Sequence, residues 1–230
     1  GSVSVSTGAI EMGQGVNAKI LAIAAANLGV PRDRIRIEST TTRTIANTSP
    51  TAASSGADMN GRATELACRA ISARLLAVAA DFLDTPPNGF DSGEGVVTVV
   101  GEGTHLGWNE LVLTAYTGRV TLSAHAHYAT PRIWYDKETE HGEPFAYHVF
   151  GTAILEVTVD CLRGTYTVDR VRMVHDGGRS LAEEVDRGQL EGGLVQGLGW
   201  MTMEELVFHE GRNLSDTLST YKIPDLPSTP

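Results

Sequence analysis

The chain has 230 residues, 41% of them hydrophobic and 20% charged, which is enough to bury a sizeable core. Its formal net charge of −10 argues against nucleic acid as a partner, and no apolar run is long enough to span a membrane. The two cysteines, Cys68 and Cys161, form no CxxC pair, which favours a reducing cytoplasm. Because the chain begins with Gly1 and not with methionine, we expect it to be a piece of a longer protein.

The N-terminal part of the sequence alternates between strand and helix patterns. Ser2 to Thr7 alternates like a short strand, and a helical period follows from Val16 to Leu28, where Gly29 ends it. Arg34 to Ser39 again alternates like a strand. A long helix is predicted from about Ala57 to Leu83, and its many alanines favour close packing against a sheet.

Two stretches of small residues precede these helices. In Gly8 to Gly15 (GAIEMGQG), Gln14 lies between glycines just before a helix start, where unpaired N–H groups and the helix dipole favour an anion. Thr40 to Gly56 has almost no large or charged side chains. Its residues Ala52 to Ser55 leave room for a flat ligand and offer hydroxyls for its polar edge. Glycines that merely turn the chain, and disorder, remain alternatives.

The middle of the chain predicts smaller elements. Thr85 to Glu94 is a turn-rich connector, Gly95 to Val100 is a strand and Trp108 to Thr117 is a short helix. Val120 to Tyr128 is predicted to be extended.

Histidine and cysteine give weak signals for chemistry. His125 and His127 would share one strand face at a spacing that suits a metal, but a third ligand is missing, so hydrogen-bonded or solvated histidines are expected. Cys68 lies near the apolar stripe of the long helix, where a buried, unreactive thiol is expected. No direct metal ligand is predicted.

The C-terminal part predicts a hairpin and a glycine-rich helix. Two strands, Val149 to Asp160 and one beginning near Tyr166, flank a turn that ends in a left-handed Gly164, and a phase change predicts a bulge near Asp169. From about Ala182 to Glu205 the pattern is helical. Five glycines interrupt it: Gly188, Gly192, Gly193, Gly197 and Gly199. Each costs about 1 kcal/mol relative to alanine, which indicates close approach by another helix or a bound molecule.

Several of these stretches, in this order, resemble the molybdenum hydroxylase family and most of all its xanthine dehydrogenases. The matching motifs are EMGQG (Glu11 to Gly15), NTSPTAAS (Asn47 to Ser54), ADMNG (Ala57 to Gly61), GQLEGGLVQGLG (Gly188 to Gly199), TMEEL and STYKIPDLPS. The resemblance implies an α+β fold with mixed sheets and packed helices, part of the molybdenum cofactor-binding domain of the xanthine dehydrogenase/aldehyde oxidase type. Residues 1–230 are then a fragment of that domain, with lobes at about 1–145 and 146–230.

The resemblance also implies roles for individual residues. The positions that match contacts to a molybdopterin cofactor are Met12, Gly13, Gln14, Ala53, Ser54, Ser55 and Gln196. Ala52 and Ala53 match the floor on which a planar purine lies edge-on to the metal. Gly56 departs from the family, because it stands where a xanthine dehydrogenase serine would contact the cofactor.

The implied activity is oxidation of hypoxanthine and xanthine by hydroxylation at molybdenum, a step of purine catabolism, with a glutamate as base. The electrons leave through [2Fe–2S] clusters and FAD, on other parts of a cytoplasmic holoenzyme, to NAD or oxygen. The catalytic glutamate belongs to a Gly-Glu-Pro-Pro motif expected beyond Pro230, so no catalytic residue is predicted here. Glu143, in a similar Gly-Glu-Pro-Phe run, is not assigned that role.

Three matters stay open in the sequence. The pterin either carries a cytidine nucleotide or lacks one. The enzyme is alternatively a related molybdenum hydroxylase acting on an aldehyde or another N-heterocycle. As a third alternative, the chain is a non-catalytic assembly lobe whose partners are the remaining lobes or subunits. In each case, this chain is expected to be inactive by itself.

Overall fold

The computed structural model of the chain describes residues 1–45, 48–84, 90–93, 96–99 and 106–229. The chain divides into an N-terminal unit, Gly1–Ala146, and a C-terminal unit, Tyr147–Pro230. Within the described ranges, no helix is both long and apolar enough to cross a membrane. Asn47 of the NTSPTAAS motif and most of the predicted connector after the long helix lie outside the described residues.

The described part of the N-terminal unit contains three α-helices and three pairs of short strands. In chain order they are β1 Val3–Val5, α1 Val16–Leu28, β2 Ile35–Ile37, α2 Gly56–Leu83, β3 Phe90–Gly93, β4 Val96–Val99, α3 Trp108–Thr117, β5 Trp134–Asp136 and β6 His141–Glu143. β1 and β2 are parallel, whereas β3–β4 and β5–β6 are antiparallel. The predicted combination of helices with small mixed sheets is confirmed.

The helices α1 and α2 lie side by side and run in the same direction. At their beginnings, a Cβ added to Gly56 would lie 3.6 Å from Cγ2 of Val16. Farther along both helices, the Ser72 hydroxyl donates a 2.9 Å hydrogen bond to the Asn27 carbonyl. Because these contacts occur in the same order along α1 and along α2, the two helices begin at the same end of the unit.

The long helix α2 packs chiefly against α1 and α3. The expectation that its alanines would pack against a sheet is therefore wrong. Gly61 shows what the small residues do instead: a Cβ there would lie 2.7 Å from Cδ1 of Ile23, so glycine lets the two helices approach closely. Small side chains suit a helix neighbour as well as a sheet, which is why sequence could not separate the two.

The core of this unit lies among the three helices and the β1–β2 pair. Its largest fully buried side chains are Ile20, Leu28, Leu75, Leu106 and Leu111. Cys68 is buried in the same cluster, and burial raises the pKa of its thiol to about 11. The thiolate is therefore scarce at neutral pH, and the predicted burial of this thiol is confirmed.

The C-terminal unit is built on a long antiparallel hairpin. Its elements are β7 Phe150–Asp160, β8 Thr165–Asp176, α4 Glu183–Thr202, β9 Phe208–His209 and β10 Arg212–Asn213. The β7–β8 register shifts so that Asp169 has no partner across the pair, which confirms the predicted bulge. Gly164 in the turn has φ of 66°, which confirms the predicted left-handed glycine.

The helix α4 runs unbroken through its five glycines. Gly199 is buried against Glu204 and Pro224, so a close approach does occur there, but it is made by non-helical residues of this chain and not by another helix. At the other four, an added Cβ would meet no described atom within 4 Å, so close approach by another helix or a bound molecule stays a prediction at those positions. Gly193 and Gly197 therefore leave a patch of exposed backbone on the surface of α4.

Candidate functional site

The loop between β1 and α1, residues 8–15 and here named the Glu11 loop, is held by its own carboxylate. Glu11 Oε1 accepts hydrogen bonds from the N–H groups of Gly13 and Gly15, both at 2.9 Å, and Oε2 accepts one from Asn17 at 3.0 Å. Desolvation raises the pKa of this carboxyl, but the backbone hydrogen bonds outweigh it and hold the pKa below its usual value. The beginning of α1 is thus already occupied by an anion.

Sequence reasoning missed Glu11, although the motif contained the signal. An acidic side chain shortly before a helix is favoured by the helix dipole and by unpaired N–H groups. The EMGQG motif was instead interpreted through Gln14. The expectation that these N–H groups are open to an external anion is wrong for the three that Glu11 binds.

The predicted residues Met12, Gly13 and Gln14 lie on the rim of the same loop. Gln14 folds back, because its Oε1 accepts the Met12 N–H at 2.6 Å and its Nε2 donates to the Ile10 carbonyl at 2.8 Å. A primary amide has two N–H groups and two lone pairs, so one of each remains for a ligand. Met12 is 68% exposed, and a Cβ on Gly13 would meet nothing within 4 Å.

The loop before α2, whose described residues 48–55 are here named the Ser54 loop, has an unusual backbone. Ala53 and Ser54 have φ angles of 56° and 55°, in the left-handed region that residues with a Cβ rarely adopt. Each such residue costs about 1 to 2 kcal/mol. Strain of this kind is concentrated at ligand-binding and active sites, where the surrounding structure maintains it.

The beginning of α2 differs from that of α1. The Ser55 hydroxyl donates to the Ala52 carbonyl at 3.2 Å instead of accepting from the helix, and α2 has no side-chain cap in the described structure. Asp58 in the first turn supplies negative charge near this end. The N-cap residue Ser55 therefore makes no side-chain hydrogen bond to the first N–H groups of α2, whereas the Glu11 carboxylate binds Asn17 in the first turn of α1.

The two loops contact each other directly. The Ile10 N–H donates to Thr51 Oγ1 at 2.9 Å, which links the Glu11 loop to the Ser54 loop. Gly8 lies so close to Thr48 that a Cβ there would be 2.9 Å from the Thr48 Cβ. The structure thus brings six of the seven predicted cofactor residues into two touching loops, at the shared beginning of α1 and α2.

The seventh predicted residue, Gln196, belongs to the C-terminal unit. It is an exposed residue of α4, and Gly193 and Gly197 beside it bear no side chains. Its amide therefore borders an open helix surface of its own unit.

Metal-ligand clusters are not found in the described ranges, where no group of three or more His, Cys, Asp or Glu side chains is suited to a metal ion. His125 and His127 are both exposed, in a segment without regular secondary structure. Glu143 is an exposed residue of the short strand β6.

Comparison with known proteins gives the family. The model of the molybdopterin cofactor-binding domain matches residues 1–230, the whole chain. The chain belongs to this family.

Relatives of this molybdopterin cofactor-binding domain include two kinds of molybdenum oxidoreductase. Xanthine dehydrogenase/oxidase of Mus musculus is 42% identical and aldehyde oxidase 2 of Cavia porcellus is 40% identical, each over 231 residues. Each match covers 100% of this chain, which spans 16% of the length of either relative.

A solved structure supports the fold of this molybdopterin cofactor-binding domain. The Cu,Mo-CO dehydrogenase in its carbon monoxide reduced state is similar with a TM-score of 0.81, at 24% identity, over 100% of this chain and 28% of that chain. At this identity the likeness establishes the fold alone.

Proposed function

We propose that this chain is the molybdopterin-binding part of a xanthine dehydrogenase, which oxidises hypoxanthine and xanthine by hydroxylation. The observation that carries the proposal is the junction of the Glu11 loop and the Ser54 loop at the common beginning of two parallel helices. The N-terminus of α2 favours an anionic group, and the two loops add the half-buried amide of Gln14, hydroxyls and small side chains. This combination suits a flat, phosphorylated pterin.

The residues present fit such a cofactor. In the proposal, the contacts come from Met12, Gly13, Gln14, Ala53, Ser54, Ser55 and, in the C-terminal unit, Gln196. Gln14 retains one donor and one acceptor, and the open space beside Gly13 admits a ligand close to the backbone. When bound, the cofactor supplies the molybdenum centre at which the substrate is oxidised.

Two chemical classes of substrate are candidates, and we choose the purine. Ala52 and Ala53 are both exposed, and their methyl groups offer a flat floor for a planar ring. An aldehyde is the second candidate, because the identity to the aldehyde oxidase is 40% against 42% for the xanthine dehydrogenase/oxidase. The [2Fe–2S] clusters, FAD and the catalytic glutamate belong, in this proposal, to the rest of a cytoplasmic holoenzyme.

The C-terminal unit supports a role for partner segments. Phe150 and Val174 on its hairpin are 74% and 77% exposed, although strand residues of this type are normally covered. Exposed apolar side chains in such numbers mark association surfaces. This observation also favours the alternative of a non-catalytic assembly lobe, which the following experiment separates from the enzyme.

Loading of the cofactor tests the proposal in the full-length protein that carries this chain. Gln14→Leu and Gln196→Leu each remove one ligand hydrogen bond, so we expect about fivefold weaker pterin binding, from about 1 kcal/mol per bond. Molybdenum content by elemental mass spectrometry and pterin fluorescence measure it. Gln189→Leu is the matched control, because Gln189 is an exposed amide two turns before Gln196 on α4.

The outcomes distinguish the alternatives. A loaded protein that oxidises xanthine faster than aldehydes supports the purine proposal, and the reverse preference supports the aldehyde. A loaded protein without activity on purines, aldehydes or N-heterocycles supports the assembly lobe. Wild-type protein without molybdenum or pterin would contradict cofactor binding.

A further inference from the structure

The Glu11 carboxylate lies where an external anion would otherwise meet the beginning of α1. Its two oxygens accept from the N–H groups of residues two, four and six positions along the chain, namely Gly13, Gly15 and Asn17. Its pKa is lowered by these bonds against the opposing effect of desolvation, so the group is ionised at neutral pH. A charged acceptor makes stronger bonds to N–H groups than a neutral one.

These bonds determine the shape of the whole loop. Gly13 and Gly15 have φ of 108° and 73°, and both N–H groups point at the same oxygen, Oε1. At the other end of the loop, Ala9 is buried beside Val16 and Ile20. The rim that carries Met12 is therefore fixed between a packed methyl group and a carboxylate that binds three amides.

Two roles for this carboxylate would have opposite effects. If it merely occupied the site of a cofactor anion, its removal would strengthen cofactor binding. If it fixes the rim, its removal would weaken binding. The geometry favours the second role, because Oε1 is bonded to two N–H groups of the loop itself and Oε2 ties the same side chain to Asn17 in the first turn of α1.

We propose that Glu11 is a positioning residue whose carboxylate holds residues 8–15 in the conformation that presents Met12, Gly13 and Gln14 to the molybdopterin cofactor. This inference rests on the proposed function, in which those three residues contact the cofactor. Glu11 itself does not touch the cofactor in this proposal. It acts only through the backbone of the loop.

The test compares Glu11→Ala, Glu11→Gln and the matched control Glu38→Ala in the full-length protein. Glu38 is another carboxylate of the N-terminal unit that accepts a side-chain hydrogen bond, from the Ser4 hydroxyl at 2.7 Å. Pterin and molybdenum contents are measured together with the midpoint of thermal unfolding. We expect a fall in pterin affinity of about tenfold for Glu11→Ala and of about two- to threefold for Glu11→Gln, whose amide oxygen still accepts from Gly13 and Gly15. Glu38→Ala should load like the wild type.

A chemical rescue separates positioning from a general loss of stability. Glu11→Ala leaves three N–H groups and a space for a small carboxylate, so acetate should restore pterin content in this variant and not in Gln196→Leu. Equal or higher loading of Glu11→Ala overturns the inference, as does wild-type loading of Glu11→Gln. If Glu11→Ala does not fold, the loading of Glu11→Gln decides.

Failure of the inference differs from failure of the proposed function. If the wild type is loaded and Gln196→Leu loses pterin while both Glu11 variants retain it, only the role of Glu11 is wrong. If the wild type itself contains no pterin, the proposed function is wrong.

Discussion

The beginnings of α1 and α2 lie together, but they are stabilised in different ways. At α1, Glu11 binds three backbone N–H groups, those of Gly13 and Gly15 before the helix and that of Asn17 in its first turn. At α2, Ser55 turns away from the helix, and the residues before it, Ala53 and Ser54, are held in the left-handed region. The difference teaches that a glycine-rich helix start is not in itself a vacant anion site. Of the two loops, the strained Ser54 loop, whose N-cap Ser55 makes no side-chain hydrogen bond to its helix, is the better candidate for contact with a ligand's charged group.

The parallel packing of the two helices gives this difference an electrostatic reason. Each helix has about half a positive charge at its N-terminus, and two such ends close together repel each other. The Glu11 carboxylate offsets that charge at one helix, and Asp58 contributes at the other. A bound anionic group would add to this compensation.

The largest expected effect comes from a substitution that pushes the two helices apart. In Gly61→Leu, a side chain would enter the space 2.7 Å from Cδ1 of Ile23 and push α2 away from α1. We expect the free energy of unfolding to fall by about 2 kcal/mol, the usual cost of overpacking. Urea unfolding followed by circular dichroism measures it.

The control for that prediction is Gly61→Ala. Its Cβ meets only the flexible end of Ile23, and alanine favours a helix over glycine by about 1 kcal/mol, so we expect little net change. Equal stability of the leucine and alanine variants would show that Gly61 does not set the helix spacing.

An intermediate effect of opposite sign is expected in the Ser54 loop. Ala53→Gly relieves a left-handed residue that costs about 1 to 2 kcal/mol, while glycine adds about 0.5 to 1 kcal/mol of chain entropy. The net prediction is a stabilisation of about 0.5 to 1 kcal/mol in the same urea experiment. Ala73→Gly, at an exposed position within α2, should instead destabilise by about 1 kcal/mol. Destabilisation by both substitutions would contradict the strain at Ala53.

The smallest expected effect concerns the pH dependence of the stabilisation that the Glu11 carboxylate gives to the folded state. The lowered pKa of Glu11 means that the folded state favours the ionised carboxylate. Its stabilisation is therefore fully present above the unfolded pKa, which is about 4.3, and is lost as the pH falls through the lower folded pKa. We expect a few tenths of a kcal/mol, because the side chain is largely exposed and solvent screens it.

Thermal unfolding of the wild type and Glu11→Gln between pH 7 and pH 3 measures this contribution. The difference between their midpoints should shrink towards the acid end of the range. A difference that stays constant or grows on acidification would show that the charge of Glu11 does not stabilise the loop.

Much of the fold could be predicted where local chemistry decides it. Gly29 ends α1 in the left-handed conformation, the bulge falls at Asp169, and the hairpin turns at Gly164. Each of these features depends on a few consecutive residues. The packing of α2 on α1 could not be predicted in this way, because an alanine-rich surface suits several neighbours.

For the candidate site, sequence drew attention to the right loops but to an incomplete set of interactions. The motif at Glu11 to Gly15 and the small residues before α2 were both selected, and the structure joins them through Ile10 and Thr51. The left-handed backbone at Ala53 has no sequence signature, because alanine normally avoids that conformation. The roles of the selected residues toward a cofactor remain predictions.

The sequence by itself did not predict β5 and β6, but it determined the α-helices, the long hairpin, the turns at glycine and the family. These follow from hydrophobic periodicity, from the left-handed freedom of glycine and from motifs in a fixed order. Only the tertiary structure decided that α1 and α2 begin side by side, that Glu11 closes one of these ends, and that strain is stored at the other. Those features depend on contacts between residues such as Ile10 and Thr51, 41 positions apart, which no local pattern specifies.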